Sequence, residues 1–143
     1  MSIGDRTTVG NNVTISSGTH IGKDCKIFHS ASIGAIPQDL KYNNEETYLH
    51  IGDRTVIREF VSINKGTSAL GKTKIGSDCL LMASVHVAHD CVVGNNVIMS
   101  NLTTLGGHVN IDDWAILSGG VLVHQFCNIS KHAFIGAGAL AVS

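Results

Sequence analysis

Residues 75–99 read IGSDCLLMASVHVAHDCVVGNNVIM, and an aliphatic side chain recurs in them every six residues, at Ile75, Leu81, Val87, Val93 and Met99. The same phase runs from Ile3 to Ala141, with Ile, Leu, Val or Met at 20 of the 24 positions. Ala69 and Ala141 are small and apolar, and only Asp39 and Glu45 are polar. A period of six is neither helical nor strand-like. It predicts a parallel β-solenoid of hexapeptides, each unit a short strand plus a corner.

The remaining hexad positions agree with this fold. We call the aliphatic position of each hexad i. Outside one polar stretch, position i+4 is small or β-branched. Position i+1 is glycine in nine hexads. We expect the large residue i to fill the interior beside the small i+4. Glycine at i+1 suits a corner where the backbone needs unusual dihedral angles. Three hexads then make a triangular coil of 18 residues, and successive coils stack about 4.8 Å apart.

Two stretches interrupt the repeat within one predicted β-helix domain that spans residues 1–143. They are AIPQDLKYNNEETYLH at 35–50 and KGTSALGKTK at 65–74, and the aliphatic phase resumes after each. A stacking solenoid can eject residues only as loops from its corners. Tolerated insertion is one explanation, because long surface loops cost little free energy. Function is the better prediction for the polar loop 35–50, because loops on a rigid scaffold commonly carry it.

Composition and charge exclude several classes of protein. The net charge of −1 gives no electrostatic case for binding nucleic acid or a charged membrane surface. No apolar run reaches the length of a transmembrane helix. The N-terminal MSIGDRTTVG lacks the apolar core of a signal peptide. We therefore expect a cytoplasmic protein without a membrane segment.

The four cysteines are predicted to be buried structural thiols. All of them occupy position i+4, where they replace Val, Thr or Ala: Cys25, Cys79, Cys91 and Cys127. Cys91 and Cys127 are two coils apart, roughly 10 Å, which is too far for a disulfide. Free thiols of this kind fit a reducing compartment.

Four of the eight histidines cluster late in the chain, at His86, His89, His108 and His124. Adding one coil of 18 residues to His89 gives Gly107, next to His108, and adding two coils gives Gln125, next to His124. The period therefore predicts a polar strip on one side of three successive coils. Unrelated surface histidines are the alternative, and we apply that reading to His20, His29, His50 and His132.

Two kinds of chemistry could use such a strip. His89, followed directly by Asp90, could act as a general base, since the ordinary pKa of an imidazole lies near working pH. Three imidazoles could instead hold a catalytic zinc ion, as hexapeptide solenoids of the γ-carbonic anhydrase type do between subunits. That class places its ligands as one His and then an H-x4-H pair, and no H-x4-H occurs here.

The whole chain resembles the UDP-N-acetylglucosamine acyltransferases that begin lipid A biosynthesis. The matching segments are ASIGAIPQDLKY at 31–42, IGDRTVIREFVSINKGT at 51–67, KIGSDCLLMASVHVAHDCVVGNN at 74–96, LGGHVNIDDWAILSGG at 105–120 and VHQFCNIS at 123–130. The hexad alone would fit many acyltransferases, whereas QDLKY with HVAHDC and VHQFC is much narrower. The resemblance implies an all-β fold, a left-handed parallel β-helix of triangular coils. It also implies a homotrimer with active sites between subunits.

The resemblance also implies roles for individual residues. His89 would deprotonate the sugar 3-hydroxyl, Asp90 would orient His89, and the Gly107 N–H would stabilise the oxyanion. The donor would be a 3-hydroxyacyl group on acyl carrier protein, the acceptor UDP-N-acetylglucosamine, and no metal or redox cofactor would be needed. Ala137 matches the position that measures acyl-chain length. The substrate-contacting positions are Gln38, Asp39, Lys41, His86, His108, His124 and Gln125.

The chain also departs from the family pattern. Members usually begin about two coils earlier and continue into a C-terminal helical domain, so we expect a chain truncated at both ends. Asn64 stands where relatives often carry His. A structural trimeric solenoid without catalysis therefore remains an alternative, beside the zinc protein. Assays of acyl transfer and of zinc content separate the three hypotheses.

Overall fold

The structure, a computed structural model, describes residues 1–142 and consists of 21 short β-strands without a helix in that range. The strands form three parallel sheets of seven, and the chain visits the three sheets in turn. No helix in the described range is long and apolar enough to cross a membrane. The predicted all-β solenoid is confirmed.

Each coil contributes one strand to each sheet. The first sheet contains β1 (Ser2–Ile3), β4 (Thr19–Ile21), β7 (Tyr48–Ile51), β10 (Lys72–Ile75), β13 (Val92–Val93), β16 (Asn110–Ile111) and β19 (Asn128–Ile129). The second contains β2 (Thr8–Val9), β5 (Lys26–Ile27), β8 (Val56–Ile57), β11 (Leu80–Leu81), β14 (Ile98–Met99), β17 (Ile116–Leu117) and β20 (Phe134–Ile135). The third contains β3 (Thr14–Ile15), β6 (Ser32–Ala35), β9 (Ser62–Asn64), β12 (His86–Val87), β15 (Thr104–Leu105), β18 (Leu122–Val123) and β21 (Leu140–Ala141).

The register between coils follows the sequence period. In the third sheet Val87 pairs with Leu105, and Leu105 pairs with Val123, a step of 18 residues each time. Just beyond the strand, the Gly106 N–H donates to the Val123 carbonyl at 2.9 Å. Outside the two loops, residues one coil apart therefore lie above one another, and this alignment builds the site described below.

The interior is filled by hexad positions i and i+4, as predicted. Leu81, Leu105 and Leu117 at position i and Val85 and Val121 at position i+4 are all fully buried. Both sets belong to one continuous apolar core, which explains why aromatic residues are scarce: stacked aliphatic side chains already fill a triangular coil.

Glycine at position i+1 has a different cause from the one expected. The left-handed backbone conformation occurs two residues later, at i+3, for example at Asp90, His108 and Phe126 with φ of 60°, 60° and 66°. Glycine at i+1 is needed for space, because a Cβ on Gly76 would lie 2.3 Å from the carbonyl oxygen of Gly94 in the next coil. At Gly76, close stacking of coils and not an unusual dihedral angle therefore selects glycine; Gly34 is the exception among the glycines at i+1, because it takes a left-handed φ of 84°.

The two ejected loops are shorter than the sequence indicated. Strand β6 continues to Ala35 and β7 begins at Tyr48, so the first loop comprises residues 36–47 and not 35–50. Strand β10 begins at Lys72, so the second comprises 65–71 and not 65–74. The misassigned ends are polar because alternate residues of these two strands face outward, while Leu49 and Thr73 between them are fully buried.

The cysteines are buried free thiols, as predicted. Cys91 is fully buried, and burial raises the pKa of its thiol to about 12. Its S–H faces the Gly106 carbonyl at 3.1 Å. Cys91 therefore serves as a small packing residue and not as a nucleophile.

Replacing Gly76 by alanine should destabilise the fold. The added methyl group meets backbone and not a movable side chain, so we expect a loss of about 1–3 kcal/mol in the free energy of unfolding. Gly119→Ala is the matched control, since its Cβ would approach only the Asn101 carbonyl at 3.6 Å. Denaturant unfolding of both variants measures the difference, and equal midpoints would contradict the steric explanation.

Candidate active site

The predicted polar strip lies along one edge of the solenoid, where the chain leaves the third sheet for the first. His89 follows β12, Gly107 and His108 follow β15, and Gln125 and Phe126 follow β18. We call these five residues the histidine corner. The 18-residue register places them on three successive coils, and the rings of His89 and His108 meet edge to face with centroids 5.1 Å apart.

His89 is held by the carboxylate that follows it in the chain. Its Nδ1 lies 3.0 Å from Asp90 Oδ2, and the Asp90 side chain is completely buried while the His89 side chain is 14% exposed. If Nδ1 carries the proton and donates to Asp90, the lone pair of Nε2 points away from the carboxylate. The pair is therefore arranged so that His89 Nε2 can accept a proton.

Asp90 has further partners that sequence reasoning missed. The Thr67 N–H donates to Asp90 Oδ1 at 2.9 Å, and the Thr67 hydroxyl donates to Oδ2. The Asp90 N–H in turn donates to Thr73 Oγ1 at 2.9 Å. Thr67 belongs to loop 65–71, and its proximity to Asp90 carries no sequence signal because 23 residues separate the two.

The first loop covers the histidine corner. Gln38, Asp39, Leu40 and Lys41 line a cavity of about 550 Å³ together with His89, His108, Gln125 and Phe126. Asp39 Oδ2 lies 3.9 Å from His89 Nε2, so one hydroxyl group lying beside this pair in the cavity could contact both atoms. The Lys41 N–H donates to Asp39 Oδ1 at 3.0 Å and steadies that carboxylate.

Gly107 lies directly beneath the His89 ring. A Cβ on Gly107 would be 2.5 Å from His89 Cε1, so only glycine leaves room for this imidazole. None of the described residues accepts a hydrogen bond from the Gly107 N–H. At the corner that follows the first sheet, the equivalent N–H of Asn95 donates to Asp113 Oδ1 at 2.7 Å. The histidine corner therefore leaves an amide donor free next to His89.

His108 is fixed by stacking. Its ring packs parallel to Phe126 of the next coil, with centroids 4.5 Å apart and planes 5° apart. Its Nε2 lies 3.7 Å from Asp90 Oδ2. His108 therefore adds a second imidazole to the wall of the cavity, in an orientation set by an aromatic neighbour that the repeat pattern did not indicate.

Five predicted site residues do not line this cavity: Asp90 and Gly107, which adjoin His89, and three others. His86 faces outward from β12, with Nδ1 2.7 Å from Ser62 Oγ. His124 lines a separate, mainly apolar cavity on the third sheet that also touches Gly107, Leu122 and Leu140. Ala137 is exposed in the turn between β20 and β21 and lines none of the cavities described here.

A metal centre fits this arrangement poorly. Nitrogen and oxygen atoms of His89, Asp90 and His108 lie within 4.8 Å of one another. Both oxygens of Asp90 already accept hydrogen bonds from Thr67, however, and Oδ2 faces His89 as well. A hydrogen-bonded base accounts for every one of these contacts without a cation.

Comparison with known proteins identifies the class. The family described as bacterial transferase hexapeptide (six repeats) matches residues 72–107, and the hexapeptide repeat of succinyl-transferase matches residues 1–27. The solved structure of LpxA from Acinetobacter baumannii is 43% identical and superposes with a TM-score of 0.97 over 98% of this chain and 55% of that one. The UDP-N-acetylglucosamine acyltransferase of Francisella novicida is 39% identical, with a TM-score of 0.81 over 98% and 54%.

The fold is thus a left-handed parallel β-helix built of hexapeptide repeats, similar to that of the bacterial hexapeptide transferases. The acyl-[acyl-carrier-protein]–UDP-N-acetylglucosamine O-acyltransferase of Janthinobacterium sp. (strain Marseille) is 58% identical over 77% of this chain. That of Herminiimonas arsenicoxydans is 56% identical over 78%. Both curated proteins are homologues of this chain, which spans 42% and 43% of their lengths.

Protonation of His86 should cost stability. Burial is the main cause that holds the pKa of His86 below its ordinary value. The unfolded chain therefore binds a proton at higher pH than the folded chain, so stability falls as pH drops below about 6.5. His86→Gln should make this fall shallower, with exposed His132→Gln as the control. Urea unfolding between about pH 5 and pH 8 measures the slope, and an unchanged slope in His86→Gln would refute the assignment.

Proposed function

We propose that this chain transfers a 3-hydroxyacyl group from acyl carrier protein to the 3-hydroxyl of UDP-N-acetylglucosamine, the first step of lipid A biosynthesis. The observation that carries the proposal is the His89–Asp90 pair, held over the free N–H of Gly107 and facing Asp39 across a cavity. These are a general base and an oxyanion donor within reach of one reacting centre. The family supports the substrates, since the relatives are named for both.

His89, Asp90 and Gly107 supply the groups that this reaction uses. His89 Nε2 takes the proton of the sugar 3-hydroxyl while Asp90 steadies the charge that develops on the imidazole. The sugar oxygen attacks the thioester carbonyl, and the Gly107 N–H stabilises the oxyanion of the tetrahedral intermediate. The intermediate then collapses to the ester, and the imidazolium returns its proton to the departing thiolate of the carrier.

The two cavities suit the two halves of the reaction. The polar cavity beneath the first loop offers Gln38, Asp39 and Lys41 to the hydroxyl groups of a sugar. The second cavity, beside Gly107, is walled mainly by apolar groups such as Leu122 and Leu140. An acyl chain lying along it would place its thioester next to the Gly107 N–H, with His124 and Gln125 at the boundary of the cavities.

We place the reaction in the cytoplasm and in a homotrimer. Four buried free thiols suit a reducing compartment. Leu122, Leu140 and Phe126 are 50%, 65% and 60% exposed beside the cavities, and a neighbouring subunit would bury them and close the acyl groove. Ala137 stays a prediction as the residue that measures the acyl chain, and a neighbour that extends the groove towards its turn would bring it into contact.

His89→Ala tests the base directly. Loss of a general base typically lowers turnover by about 10²–10⁴-fold, and the assay is acyl transfer from 3-hydroxyacyl-carrier protein to UDP-N-acetylglucosamine. His132→Ala is the control, because His132 stacks on Trp114 with centroids 6.1 Å apart on another edge of the solenoid. A near-normal rate in His89→Ala would refute the mechanism. No transfer by the unaltered chain would favour the structural solenoid, and stoichiometric zinc would favour the zinc protein.

The assembly is tested by light scattering coupled to size exclusion. We expect three times the mass of 15.1 kDa, because a subunit contact removes the exposed leucines from water. Leu122→Glu on that surface should weaken the association, whereas Lys26→Glu on the second sheet should leave it intact. A stable folded monomer of the unaltered chain would contradict the trimer.

A further inference from the structure

We infer that Thr67 is a positioning residue for the catalytic base: it sets the Asp90 carboxylate so that Asp90 holds His89 in the tautomer and orientation that abstraction of a proton requires. The inference rests on the proposed function of His89. It assigns to loop 65–71 a part in the reaction that neither the sequence nor the family comparison gives it.

Both contacts come from one residue, Thr67, one from its backbone and one from its side chain. Thr67 reaches Asp90 twice, with its N–H on Oδ1 and its hydroxyl on Oδ2. Thr67 is 7% exposed and Asp90 is 2% exposed, so water does not satisfy this carboxylate. A buried carboxylate is costly unless hydrogen bonds compensate its charge, and Thr67 supplies two donors in addition to His89.

The geometry has a consequence for His89. Two donors from Thr67 fix the plane of the carboxylate, which leaves Oδ2 facing His89 Nδ1 at 3.0 Å. An anionic Oδ2 in that place requires the proton to sit on Nδ1. Nε2 then carries the lone pair, on the side that faces Asp39 at 3.9 Å. Thr67 therefore acts on the base through Asp90, without touching the reacting atoms.

Thr67 is itself held by the end of the first loop. Its neighbour Gly66 donates its N–H to the Tyr48 carbonyl at 3.1 Å, and the Gly66 carbonyl accepts the Thr47 hydroxyl. Thr47 closes the loop that carries Asp39. The same backbone junction thus joins the end of the loop that carries Asp39 to Thr67, which contacts Asp90.

Thr67→Val and Thr67→Ser separate this role from simple packing. Valine keeps the branched shape and the backbone N–H but removes the hydroxyl donor, whereas serine keeps the donor and removes a methyl group. Thr55→Val is the matched control for loss of a buried hydroxyl, because the Thr55 hydroxyl donates to the Gly76 carbonyl at 2.8 Å, away from the histidine corner. All three variants are compared with the unaltered chain.

Turnover is the first readout. We expect Thr67→Val to lower kcat about 10- to 100-fold with little change in KM, because a misplaced base affects the transition state more than substrate binding. Thr67→Ser should restore most of the rate.

The pH–rate profile is the second readout. In Thr67→Val, Asp90 Oδ2 no longer accepts the Thr67 hydroxyl, so it interacts more strongly with protonated His89. The acid limb of the pH–rate profile should therefore move to higher pH, by about one unit for one lost charge-assisted hydrogen bond.

Proton NMR gives a readout that does not need turnover. The Nδ1 proton of His89, assigned by its absence from His89→Gln, should give a downfield, slowly exchanging signal in the unaltered chain, in Thr67→Ser and in Thr55→Val. It should broaden or vanish in Thr67→Val. An unchanged signal and unchanged kcat in folded Thr67→Val would overturn the inference, as would equal losses in Thr67→Val and Thr55→Val. If transfer is absent throughout, the proposed function fails, and the NMR signal still decides the role of Thr67.

Discussion

Backbone hydrogen bonding between successive coils is the interaction on which the rest of the structure depends. A carbonyl at position i accepts the N–H of position i+1 in the preceding coil, as Val123 does from Gly106 at 2.9 Å. This repeated bond fixes the register at 18 residues wherever no loop intervenes. It also brings backbones so close together that glycine is required where a Cβ would touch the next coil, as at Gly76. The aliphatic period, the glycines and the aligned edges are consequences of one stacking distance.

Because the coils are in register, their corners bring the residues of the candidate site together. Residues at i+3 take a left-handed conformation, and Asp90, His108 and Phe126 do so in three successive coils. At the edge after the first sheet, side chains such as Asp113 cap the N–H groups of the coil before. At the histidine corner Gly107 has no side chain, so the His89 ring packs on it. The residue placed to cap the Gly107 N–H is Gln125 of the next coil, and among the described residues neither Gln125 nor any other accepts a hydrogen bond from this amide. Glycine at position 107 therefore leaves the space that the His89 imidazole occupies.

A buried carboxylate then holds the groups around His89 in place. Among the residues that the structure describes, Asp90 is the one charged residue that is buried, and it is tolerated because Thr67 and His89 donate hydrogen bonds to it. That requirement links the stability of loop 65–71 to the orientation of the base. The first loop brings Asp39 to the other side of the same ring. Neither loop is part of the repeat, yet both are anchored to its strands β7 and β10, so the rigid solenoid determines their positions.

The sequence by itself determined the solenoid, its period and the edge on which His89, His108 and Gln125 meet, because a fixed coil length turns residue numbers into positions in space. The loop ends predicted from the sequence were wrong, because the outward-facing polar residues of strands such as Tyr48–Ile51 resemble loop residues. The prediction that glycine at i+1 serves an unusual dihedral angle was wrong for Gly76, because the approach of the next coil is not visible in a local sequence pattern. Only the tertiary structure decided that Thr67 contacts Asp90 and that Phe126 stacks on His108. The first contact depends on the path of an ejected loop, which the repeat does not specify, and the second on a side-chain orientation that the backbone register leaves open.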